Sequence, residues 1–259
     1  MTGIEEKIAF LPDLIYAGGR FERGRALVCD AAGRILRVAA ADEIDCEVVP
    51  LKNRALLPGM VNGHSHAFQR VIRGRTEHRS RASADSFWTW RELMYSAAMR
   101  LEPEDIYDAS RMAFLEMALG GITAVGEFHY LHRDAAGRAY DDPNLLAKEV
   151  IRAARDVGVR IALLRVAYAR AGYRKEPDER QRRFIEPDAA TYLRNVEKLK
   201  EELTRDDAWT GLAPHSVRAV PLDYLREVVA YADRLNLPVH MHVAEQPAEN
   251  AACVSEHGR

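Results

Sequence analysis

Hydrophobic and polar positions follow different rules on either side of residue 55. Before it, short β-like runs at 7–11, 26–29, 35–38 and 47–51 are separated by Gly18-Gly19, Gly24 and Gly33. That pattern predicts a small antiparallel β unit. After it, apolar runs at 55–61, 122–128, 159–167, 210–214 and 237–243 alternate with helical periodicity over 103–119, 144–157, 189–203 and 221–235. Pro103 and Pro221 suit a first helical turn, where a missing N–H costs nothing. The alternation predicts an α/β architecture of parallel βα units, with functional side chains at the C-terminal ends of the strands.

Polar residues gather at those predicted ends. The first run leads into His64 and His66 within LLPGMVNGHSHAFQR (56–70). Strand side chains alternate with period two, so both imidazoles are expected on one face, where two neutral rings can bind a single divalent ion. Glu127, Phe128, His129 and Tyr130 follow the second run, Tyr168 the third, and His215 and Arg218 the fourth. The fifth ends in a second His-x-His, His240 and His242, with Glu245 three residues on. His242 is the expected third metal ligand. His240 is read as a hydrogen-bonded core histidine one layer deeper. His129 is either structural or a substrate contact, and His78, His132 and His257, in polar stretches, are expected to be solvated.

Composition narrows the class without identifying it. The chain has 259 residues, 47% hydrophobic and 29% charged, which suits one large globular domain or two small ones. A net charge of −2 supplies no field for nucleic acid or anionic membranes. Cys29, Cys46 and Cys253 are scattered, which argues against a disulfide framework or a thiolate metal site. Glu5, Glu6 and Asp13 interrupt the first apolar pieces, so no signal peptide is expected, and no window approaches the ~20 apolar residues of a membrane span. A reducing cytoplasm is the expected location.

PGMVNGHSHAFQR together with HMHVAEQ resembles the amidohydrolase superfamily of metal-dependent hydrolases and deaminases. DSFWTWRELMY (85–95), EFHYLHRDAAGRAYDDP (127–143), QRRFI (181–185) and APHSVRAV (213–220) make it similar to the formimidoylglutamate deiminases within that superfamily. The similarity runs over nearly the whole chain and is weaker in the first 50 residues. It implies a (β/α)8 barrel of TIM type with about five βα units present in residues 56–259, preceded by an incomplete β sandwich-type unit in residues 1–55. It further implies one zinc ion held by His64, His66 and His242, Glu245 as catalytic proton shuttle, and Gln69, Arg91, Tyr130, His215 and Arg218 as substrate contacts. The implied reaction is hydrolysis of N-formimino-L-glutamate to N-formyl-L-glutamate and ammonia, in histidine degradation. A guanidinium grips a carboxylate with two parallel hydrogen bonds, so Arg91 and Arg218 suit a substrate with two carboxylates.

The resemblance also sets expectations about extent. The family places a further catalytic histidine after the sixth strand and a metal-binding aspartate after the eighth, and this sequence ends at Arg259. The chain is therefore expected to be a partial form with an open sheet edge and negligible activity alone. The implied partner is a small dicarboxylate amidine, with no nucleic acid and no membrane, and a homodimer is compatible. Two other readings stay open: a related deaminase acting on a purine or another cyclic amidine, and a catalytically inactive remnant.

Overall fold

The structure is a computed structural model that describes residues 6–77, 87–204 and 206–258. It divides into two compact units, Met1–Gly59 and Met60–Arg259. In the first, β1 (Lys7–Ala17), β2 (Arg20–Glu22), β3 (Arg25–Asp30), β4 (Ile35–Ala40) and β5 (Glu47–Leu56) form one sheet in the order β2-β1-β3-β4, with β5 beside β1. The β1–β2 turn uses Gly18 and Gly19, both at positive φ (58° and 83°), as a two-residue hairpin loop requires. The sheet is mixed rather than antiparallel, because β5 runs parallel to β1. The ladder also extends past the apolar runs: Asp13 accepts the Asn53 N–H at 2.7 Å. Ala9, Ala26, Val28 and Ala39 form its small core.

The second unit carries β6 (Met60–Ser65), β7 (Ile122–His129), β8 (Arg160–Ala167) and β9 (Ala208–Pro214), all parallel and in sequential order. Its helices are α1 (Phe87–Ala98), α2 (Pro103–Leu119), α3 (Leu145–Val157), α4 (Ala189–Glu202), α5 (Leu222–Leu235) and α6 (Pro247–His257). Helix α3 shows why the alternation was readable. Leu146, Ala147, Val150, Ile151 and Ala154 recur at helical spacing and are all buried, and Gly158 ends the helix in the left-handed region at φ 85°. Pro103 occupies the first turn of α2, whereas Pro221 sits one position earlier, as the residue that caps α5.

Two predicted runs are not strands as drawn. Residues 55–61 split: Ala55 and Leu56 end β5, and β6 begins only at Met60, after Pro58-Gly59. The strand that carries the first His-x-His is therefore residues 60–65, not a buried strand over 55–61. Met60 and Val61, at one end of the sheet, are exposed. Residues 237–243 make a partial pairing with β9, through Leu212 N–H to Pro238 C=O at 3.0 Å and His240 N–H to Leu212 C=O at 2.9 Å. Only Val239 forms a bridge there. Pro238 has no N–H to give, and Ala244 turns the chain at φ 55°, so the ladder stops short and the parallel sheet has four strands rather than five. No helix among the described residues is long and apolar enough to cross a membrane.

Candidate functional site

The end of β6 is built by a close approach. Register shifts between Asn62 and Ser65 insert a bulge beside β7, and a Cβ on Gly126 would lie 2.7 Å from the Gly63 carbonyl oxygen. Only a glycine permits that contact, and the bulge re-aims the residues that follow it. His64, within the strand, and His66, just past its end, thereby converge. His64 Nε2 lies 3.1 Å from His66 Nε2 and 3.2 Å from His242 Nε2. One nitrogen from each of the three lies within 4.8 Å of the other two.

This arrangement fits a metal ion. Two nitrogens each 2.0–2.1 Å from a tetrahedral ion are about 3.3 Å apart, close to the two separations observed. His66 Nδ1 lies 3.0 Å from the Phe128 carbonyl, which can only accept, so Nδ1 carries the proton and Nε2 presents a lone pair to the cluster. His64 Nδ1 pairs with His240 Nε2 at 2.9 Å, leaving His64 Nε2 toward the same point. Burial holds the rings neutral: His66 is lowered to about 3 and His64 and His242 to about 4, with mutual repulsion adding to the effect. Neutral imidazoles with converging lone pairs are the donor set a divalent cation takes. His240 is only half-buried and stacks on His64 at 5.1 Å, so it is a partner of a candidate ligand rather than a core histidine.

The other predicted residues share one cavity. His66, Gln69, Arg91, Tyr130, His215, Arg218, His242 and Glu245 all line it, together with Phe87, Trp90, Met94, Tyr95, Tyr168 and Phe184. Gln69 donates to the Tyr130 hydroxyl at 2.9 Å, and burial raises that phenol well above its ordinary range. His215 is buried against Tyr168 and His242, with ring centroids 4.7 and 4.9 Å away, and burial keeps it neutral. Arg91 lies over the Trp88 ring at 4.4 Å and near Tyr95 at 5.4 Å. Arg218 donates to Glu245 at 3.1 Å and to the buried Glu249 at 3.5 Å, and these acids hold its guanidinium firmly charged.

Some expectations fail here. His132 is buried, not solvated, and its Nε2 donates to the Val166 carbonyl at 2.9 Å, since burial and Arg165 keep it neutral. His129 is likewise wholly buried, near Arg165 and 5.8 Å from His132, and does not line the cavity. His257 is half-buried, 3.8 Å from Glu256. His78, and Asp85 and Ser86 of the tryptophan-rich stretch, lie outside the described residues.

Other contributors were given no role from sequence. Phe128, fully buried, packs its ring against His64, His66, His215, His240 and His242 at 4.5–5.8 Å. Glu127 is buried with its carboxyl pushed up to about 7 by desolvation. Gln181 ties Tyr95 and Tyr168 together at 3.0 and 2.8 Å. Position at a strand end was the available signal for Glu127 and Phe128. Gln181 and Glu249 lie at no strand end; Gln181 opens the QRRFI stretch that carried the resemblance without a role of its own, and nothing in the local sequence marks Glu249.

A family model described as the amidohydrolase family matches residues 55–259. The chain is 42% identical over 245 residues to a protein named formimidoylglutamate deiminase from Pseudomonas aeruginosa, covering 91% of this chain and 53% of that protein. It superposes on the crystal structure of an amidohydrolase from Brucella melitensis with a TM-score of 0.83 and 34% identity, over 98% of this chain and 55% of that one. It also matches the fold of an adenosine deaminase from Xanthomonas campestris with bound zinc, at a TM-score of 0.70 and 20% identity, over 97% of this chain and 52% of that one. The chain thus spans about half the length of the relatives it matches.

Proposed function

Because the chain belongs to the amidohydrolase family, we propose that its site holds one zinc ion on His64, His66 and His242 and acts in the hydrolysis of N-formimino-L-glutamate to N-formyl-L-glutamate and ammonia. The observation that supports this most is the single cavity in which candidate metal ligands, an acid and two arginines meet. A bound zinc ion would supply Lewis-acid polarisation and lower the pKa of water at the site to about 7. The remaining work falls to side chains of this chain. The Phe128 carbonyl and His240 orient two of the imidazoles. Glu245 is suited to take a proton from water and return it to the departing nitrogen, releasing ammonia. Arg91 and Arg218 each suit one substrate carboxylate. Gln69, Tyr130 and His215 present neutral hydrogen-bonding groups from the apolar wall, which excludes bulk water around the amidine.

On the same reading the parallel sheet is part of a (β/α)-barrel of TIM type, and the reaction belongs to histidine catabolism in the cytoplasm. The test is ammonia release from N-formimino-L-glutamate by the zinc-loaded full-length protein, with adenosine and guanine as controls. Release from the formimino substrate alone supports the proposal. Release from a purine alone would replace it with the reading as a purine deaminase.

A further inference from the structure

Beyond the residues assigned above, we propose that Glu127 is a positioning residue that presets His66 by clamping the chain on both sides of it, an inference that rests on the metal reading. Three ties join residues 65–67 to the end of β7. Ser65 stands opposite Glu127 in the strand register. The His66 ring donates to the Phe128 carbonyl at 3.0 Å. Glu127 Oε1 accepts the Ala67 N–H at 2.7 Å. Two consecutive residues of β7 thus grip three consecutive residues of the loop, with the candidate ligand in the middle.

The chemistry of the loop explains why an acceptor is needed there. Ala67 opens a short 3-10 helix, Ala67–Ile72, whose first N–H groups have no partner within the helix. The preceding residue ordinarily caps such an end with its own side chain. Here that residue is His66, whose ring is turned to the metal cluster and makes no cap. Glu127 takes over the capping from the neighbouring strand. Its side chain is wholly buried, and a buried carboxyl is costly where an apolar side chain would do. Without it, however, the Ala67 N–H would be buried and unpaired, and the segment carrying His66 could relax away from the Phe128 carbonyl.

The experiment compares the full-length protein with Glu127→Gln and Glu127→Leu. Metal-free samples labelled with [15N]histidine report the His66 tautomer by NMR, and zinc affinity is measured by competition with a chromophoric chelator. Gln keeps an oxygen acceptor for Ala67, so E127Q should keep the Nδ1–H tautomer and near-normal zinc affinity. E127L should mix the tautomers and raise the zinc Kd about 10–100-fold, the usual effect of losing an outer-shell partner. Hydrogen exchange at the Ala67 amide of the unaltered protein is read as well, so the idea stays testable should E127L fail to fold. Protection is expected. An Ala67 amide exchanging as an open loop, or an E127L protein with unchanged tautomer and zinc affinity, overturns the clamp. An unaltered protein that takes up no zinc overturns the metal reading instead, and the tautomer comparison still decides the clamp.

Discussion

Glu245 and Arg218 are bound to each other, Oε2 to Nη2 at 3.1 Å, so the candidate proton carrier and one candidate carboxylate clamp are each other's partner. Glu249 accepts from Nε of the same guanidinium at 3.5 Å. A substrate carboxylate arriving at Arg218 must therefore compete with two acids already in place. Arg91 differs: among the described residues it stacks on aromatic rings and has no acidic partner. The two arginines, equivalent on sequence, are electrostatically unlike.

This asymmetry predicts different kinetic signatures. Arg91→Ala should act mainly on KM, and Arg218→Ala on both KM and kcat, because it also releases Glu245. Each should lower kcat/KM by roughly 2–4 kcal/mol, the cost of leaving a carboxylate without its charged partner. Zinc content should not change in either variant. Steady-state kinetics with metal analysis checks this, and loss of metal would show that the arginines support the fold rather than the substrate.

The proposed metal site predicts a graded response. His64→Asn, His66→Asn and His242→Asn should each reduce bound zinc to well below one ion per chain. His240→Asn, which removes only the partner of His64 Nδ1, should leave the ion bound with an affinity lower by about 10–100-fold. Zinc titration of the four variants separates ligands from the residue behind them.

The bulge predicts a backbone effect. In Gly126→Ala the new Cβ would meet the Gly63 carbonyl oxygen at 2.7 Å and its carbon at 3.2 Å, both main-chain atoms that cannot swing aside. Overpacking of this kind costs about 1–3 kcal/mol, and the displaced Gly63–His64 segment should also bind zinc less well. Denaturant unfolding and zinc titration of the same variant test both.

Acid sensitivity follows from the buried histidines away from the His64, His66 and His242 cluster. Burial and the Arg165 charge lower His129 to about 3, against 6.5 when unfolded. A depressed histidine binds its proton in the unfolded chain first, so its penalty is absent above about pH 6.5 and grows as the pH falls toward 3. At pH 5 His129 should cost about 2 kcal/mol, and His132, shifted the same way, should add to it. Glu127, raised to about 7, works in the opposite direction over pH 4.5–7. Chemical unfolding at pH 7 and pH 5 should show a net loss of stability, reduced in His129→Gln.

The sequence by itself determined whatever depends on local period and residue type. The 3.6-residue spacing of Leu146, Val150 and Ala154 specifies α3 and its buried face, and all four predicted helices end within a residue of their observed limits. His-x-His could point to metal chemistry because two side chains two positions apart share a face. What only the tertiary structure decided depends on groups distant in the chain. Pro58-Gly59 reads as the middle of an apolar run, yet the run divides there, because Leu56 pairs with Ile15 while Met60 pairs with Ile122. Residues 237–243 look like a strand by composition, but Pro238 and the turn at Ala244 deny them a full ladder. The burial of His132, the pairing of Arg218 with Glu245 and the reach of Glu127 to Ala67 have no local signature. Each is set by which charged or polar group the fold brings within hydrogen-bonding distance, and over separations of 27 to 60 residues no periodicity encodes that.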